Sequence, residues 1–167
     1  MNSLSKVGAI AGSILFLSSS SISLAGGSHD SSHNHQPKFH TLQTEFGRYD
    51  PDMHPTITIK IGMSDQMRFT PAVINVKKGE VVEFHHTNHG KLMHEFVLGT
   101  SSSLDHHAKM MKKNPSMPHD KPYMVHVAPG DTGKNIWQFS EAGQFSFACL
   151  IPGHYEAGMR GTVIVGP

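Results

Sequence analysis

Cysteine is nearly absent: Cys149 is the only one among 167 residues. One cysteine cannot form a disulfide within a chain, so it pairs between chains, stays a free thiol or binds a metal. A charge excess is missing too. Lysine and arginine total 14 against 13 acidic residues, for a formal net charge of +1. That balance offers no basic field for nucleic acid or an anionic membrane surface. Long apolar runs are also lacking. VGAIAGSILFL, residues 7–17, has 11 residues, whereas a bilayer-spanning helix needs about 20. Its flanks are those of an export signal, with Lys6 before it and Ser23-Leu24-Ala25 as a small-residue cleavage position. No cysteine follows the run, which argues against a lipid anchor. Residues 1–25 are therefore expected to be a signal peptide directing the chain to the periplasm, with no membrane segment after cleavage. Removing Lys6 from the 14 basic residues leaves 13, equal to the acidic count.

Histidine, with 14 residues, and methionine, with 10, are abundant. Imidazole and thioether both bind copper, whereas thioether serves zinc, magnesium or calcium poorly. Composition therefore tilts toward copper.

Residues 26–55 are polar, rich in Gly, Ser and His, and without periodicity. They are expected to form a flexible arm ahead of a domain at residues 56–167. From Thr56 the texture becomes that of strands. TITIKI (56–61) alternates, and FTPAVINV (69–76) with EVVEFHHTN (80–88) reads as a hairpin turned at Lys77-Lys78-Gly79. HEFVLG (94–99), YMVHV (123–127), NIWQFS (135–140), FSFACL (145–150) and RGTVIV (160–165) complete seven or eight short strands. Residues 103–113 (SLDHHAKMMKK) read as one helix with a serine cap, an early acid and late lysines. The pattern predicts a two-sheet antiparallel β-sandwich. Trp137, Phe139, Phe145 and Phe147 are expected to fill its core from one face of a hairpin.

Chemistry concentrates in FACLIPGHYEAGM, residues 147–159, where Cys149, His154 and Met159 stand at C-x4-H-x4-M spacing. A loop of this length between two strands can fold three donors around one point. A fourth donor has to come from elsewhere. His94, opening a strand after the Gly90 turn, is the candidate, with His85, His86 and His89 as nearby rivals. One thiolate, two imidazoles and a weak axial thioether make the trigonal site of an electron-transfer copper. The bland alternative is a small buried cysteine beside ordinary loop residues.

This arrangement resembles the cupredoxins, small blue-copper proteins, and among them periplasmic members associated with copper tolerance. The resemblance covers residues 66–167 and rests on EFVLG, the His/Met-bearing helix and ACLIPGHYEAGM. It implies a Greek-key β-sandwich and one type 1 copper held by His94, Cys149, His154 and Met159. It also implies one-electron transfer between Cu(II) and Cu(I) in copper homeostasis, with a periplasmic redox or copper-handling protein as partner. Many members have Asn directly after the first His, where this chain has Glu95. An enzyme is not expected, because multicopper oxidases flank their cysteine with histidines, and Ala148 and Leu150 stand here. The alternative function is copper sequestration or handover through auxiliary residues. Those are His106, His107, Met110, Met111, Met117 and His119 around the helix, and His29, His33, His35 and His40 in the arm. Against it stand a Met-lined helix that merely packs and a soluble tail.

Overall fold

The computed structural model describes residues 39–167. The expected signal peptide and His29, His33 and His35 lie outside the described residues. The described chain runs β1 (Leu42–Thr44), β2 (Gly47–Tyr49), β3 (Ile57–Ser64), β4 (Arg68–Thr70), β5 (Val73–Lys77), β6 (Val81–Asn88) and β7 (His94–Gly99). It continues through α1 (Ser101–Lys113), β8 (Met124–Val127), β9 (Thr132–Gln138), β10 (Gly143–Ala148) and β11 (Arg160–Gly166). Six strands form one sheet in the order β1-β2-β9-β6-β3-β4, and five form the other in the order β5-β11-β10-β7-β8.

The two-sheet sandwich is as expected, but the sheets are mixed rather than antiparallel throughout. β3 runs parallel to β6, and β5 runs parallel to β11. Neither expected hairpin exists. Pro71 has no N–H to continue a ladder, and the chain leaves β4 in the first sheet to resume as β5 in the second. The turn at Lys78 and Gly79 then bridges the sheets, donating to the carbonyls of Gly166 and Phe139. β9 and β10 likewise lie in opposite sheets. Trp137, Phe139, Phe145 and Phe147 do share the core, reaching it from two sides.

β6 alternates strictly, burying Val82, Phe84, His86 and Asn88, as a strand with one solvated face must. β7 is buried at every position. One face meets the sandwich core through Phe96 and Leu98, and the other meets a second cluster with Val97, Leu104, Ala108 and Met111. α1 therefore covers the outer face of the second sheet. It begins two residues earlier than expected. Thr100 is the cap and forms a reciprocal box with Ser103, and no acid lies in the first turn.

The expected arm also needs correction at its C-terminal end. β1 and β2 form a hairpin whose Phe46 is buried against Trp137, with ring centroids 5.1 Å apart. Arg48 of β2 pairs with Gln138 of β9. One aromatic side chain with a core pocket is enough to order a segment that is otherwise polar.

Candidate metal centre

β7 and the loop between β10 and β11 build the site. Cys149 follows β10, and its N–H donates to the Met159 carbonyl at 3.0 Å, closing the loop on itself. The Met159 N–H donates to the His154 carbonyl at 3.1 Å. Gly153 and Gly158 both have φ of +91°, a left-handed conformation that favours glycine. The loop is clamped from outside. Arg68 donates to the Ala157 carbonyl at 2.9 Å, Lys112 pairs with Glu156 at 2.7 Å, and the Tyr155 hydroxyl donates to Asp105 of α1.

Within that frame Cys149 Sγ lies 3.4 Å from His154 Nδ1. One donor atom from each of His94, Cys149 and His154 falls within 4.8 Å of the others. His94 is fully buried, and its Nδ1 has no hydrogen-bond partner. Its Nε2 is held by Asp65 Oδ1 at 3.1 Å. A ring anchored through one nitrogen, with the other left bare in the interior, is prepared to ligate a metal. Met159 is fully buried beneath the loop.

Without a bound cation, burial favours neutral ligands at this point. Burial pushes the Cys149 thiol up to about 12, against smaller downward pulls from backbone N–H groups. A thiolate here therefore needs a directly bound cation. Burial foremost, and the neighbouring His94, lower the pKa of His154, which keeps its imidazole neutral and able to donate a lone pair. One soft sulfur and two imidazoles suit copper.

The rival histidines are elsewhere. His86 lies in the core with Nε2 2.8 Å from Asn135 Oδ1, and His85 contacts Glu83. His89 packs near Gly62. Of the auxiliary residues, Met111 is 3 % exposed and belongs to the cluster under α1, so it is not part of a copper-docking surface. Of the expected face shared by His107 and Met111, Met111 packs with Ala148 and Leu150, whereas His107 is only partly buried. Met117 also packs there. His106 and Met110 are exposed, one turn apart, and His40 is exposed. His107 and His119 come together, Nε2 to Nε2 at 3.1 Å.

Asp65, Asn88 and His126 are not singled out by the sequence. Asp65 accepts from the backbone of Lys91 and Leu92 as well as from His94. Asn88 ties Leu92 and Val127 through its amide. The Glu95 N–H donates to Cys149 Sγ at 3.4 Å, linking the two ligand segments through backbone where many cupredoxins use an Asn side chain. His126 stands opposite Glu95 on β8. Only the Glu95 departure was visible beforehand.

Proteins similar to this chain are copper-binding. The family of copper-binding proteins described as plastocyanin/azurin matches residues 55–166. A copper-resistant cuproprotein, CopI, of Rubrivivax gelatinosus is 48 % identical over 141 residues, covering 84 % of this chain and 85 % of the relative. CopI of Pseudomonas aeruginosa is 34 % identical over 151 residues, covering 73 % and 83 %. Among solved structures, auracyanin B superposes with a TM-score of 0.60 at 22 % identity, covering 70 % of this chain and 93 % of its own.

Proposed function

The chain belongs to the plastocyanin/azurin family of copper-binding proteins, and on that premise we propose that it is a periplasmic one-electron carrier serving copper resistance. The observation that carries this reading is the buried, unpartnered Nδ1 of His94, together with the approach of His94, Cys149 and His154 donor atoms to within 4.8 Å of one another. Copper bound there supplies a Cu(II)/Cu(I) couple, and His94, Cys149, His154 and Met159 are its ligands in this proposal. The chain's own part is rigidity. Asp65 fixes the ring of His94, and α1 and Arg68 fix the loop that holds the other three, so the ligands move little between oxidation states. His154 is partly exposed whereas His94 is fully buried. His154 is therefore the route by which an electron leaves for a redox or copper-handling partner. Leu92 and Met93, 46 % and 43 % exposed on the loop before His94, add apolar surface for docking.

Addition of Cu(II) to the purified protein is expected to give an intense visible thiolate charge-transfer band. Retention of that band in Cys149→Ala would exclude this centre. Copper holding and handover is the second reading, supported by the exposed His106 and Met110 on the outer face of α1. It requires more than one copper per chain. A carrier rather than an enzyme is favoured because Cys149 is flanked by buried Ala148 and Leu150, which offer no donor to further copper ions.

A further inference from the structure

Successive residues of a strand face opposite sides of its sheet. On β7, His94 faces the core and the first centre, so Glu95 faces the outer surface covered by α1 and the following loop. There it meets His126, its cross-strand partner on β8, and His119 from the Pro-rich loop. We propose that Glu95, His119 and His126 form a second metal site, for a divalent first-row ion with Cu(II) as its strongest binder.

Three observations carry it. Glu95 Oε2 lies 3.2 Å from His126 Nε2, His126 Nε2 lies 3.3 Å from His119 Nδ1, and His119 Nδ1 lies 3.6 Å from Glu95 Oε2. Donors bonded at about 2.0–2.1 Å to a tetrahedral ion are separated by about 3.3 Å. The triangle therefore has the size of one face of such a site. Second, Glu95 is 1 % exposed, and neither carboxylate oxygen has a partner in hydrogen-bonding direction despite the nearby nitrogens. A buried carboxylate needs a compensating cation. Glu95 raises the pKa of His126, so without a metal a protonated His126 fills that role, and a divalent ion bound by the three side chains would take its place. Third, His107 Nε2 lies 3.1 Å from the far nitrogen of His119, Nε2. That contact orients the ring and leaves Nδ1 for the ion, as an outer partner does for a ligating histidine.

The donor set defines the ligand. Two imidazoles and a carboxylate without sulfur select a borderline divalent ion over Cu(I). The tetrahedral spacing is the one zinc prefers, while the affinity order still puts Cu(II) above Zn(II) at such a donor set. The His126 side chain is 44 % exposed, which opens the site to solvent, whereas that of His119 is 3 % exposed. The site does not depend on the first centre, but it is wired to it, because the Glu95 N–H donates to Cys149 Sγ.

The test is stepwise Cu(II) loading of the full chain, read by metal content after desalting, electron paramagnetic resonance and visible absorption. Wild type is expected to retain one more Cu(II) than His126→Ala or Glu95→Gln. The extra ion should show nitrogen couplings and no intense visible band. His107→Ala should weaken that ion about 10- to 100-fold while keeping its spectrum. Histidines elsewhere are common to all variants and cancel in the difference. If His126→Ala and Glu95→Gln both retain the wild-type copper content and resonance spectrum, the cluster is a plain ion pair and the proposal fails. An extra ion lost in His126→Ala from a protein without any thiolate band supports this site and refutes the Cys149 centre instead.

Discussion

Asp65 holds three atoms of the loop that delivers His94, two backbone N–H groups and the ring Nε2. The Lys91 N–H foremost holds its carboxyl below the usual range, so it accepts as a carboxylate. Asp65→Ala is expected to lower copper affinity about 10- to 100-fold, measured by competition with a chelator, because the freed ring no longer aims Nδ1 at Cys149. His86 acts through protons. Burial lowers its pKa to about 4, from an unfolded value of about 6.5. Between those values the unfolded chain binds the extra proton, so stability falls as pH drops through that window and levels off below it. The loss is about 3 kcal/mol. Denaturant titrations of copper-free protein from pH 7 to 4 should show a shallower loss in His86→Gln than in wild type. The C-x4-H-x4-M spacing was legible because one loop carries it. Asp65, 29 residues from His94, and the cluster around Glu95 were not, because they meet only through sheet pairing and loop placement.

Strands were legible one at a time and their partners were not, since alternation is local and pairing is not. β5 and β6 look like a hairpin because a Lys-Lys-Gly turn joins two alternating runs. The inward residues Ile74 and Val76 instead complete the second sheet beside β11. The β1–β2 hairpin was hidden for another reason: each strand has three residues, too few to show a period. Its anchor is Phe46, whose carbonyl accepts from the Trp137 indole 91 residues away. Phe46 stacks on Trp137 and meets Tyr123 edge-on, with centroids 5.3 Å apart. Phe46→Ala is expected to cost about 3 kcal/mol by opening a cavity between these rings. The midpoint of denaturant unfolding should fall with the slope unchanged. An unchanged midpoint would mean that the hairpin contributes nothing to the folded state and that the boundary at residue 56 stands.

For the whole molecule, the proposed ligands come from two places far apart in the chain, His94 and the segment from Cys149 to Met159. They converge only because β7 and β10 pair, with Ala148 opposite Val97. The unfolded chain has no such convergence, so a bound metal counts as folding energy. Free copper at 1,000 times its dissociation constant adds about 4 kcal/mol to the native state. For a domain of this size that corresponds to a rise of roughly 15 °C in Tm. Calorimetry with and without Cu(II) should show this rise in His126→Ala, where the outer site is disabled and the Cys149 centre is intact. The rise should collapse when Cys149→Ala is added. A rise that survives both substitutions would place the stabilising copper elsewhere in the chain. A rise abolished by His126→Ala alone would assign it to the outer cluster. The sandwich thus makes copper affinity and fold stability two readings of the same pairing between β7 and β10, and thermal unfolding separates the two centres without any redox partner.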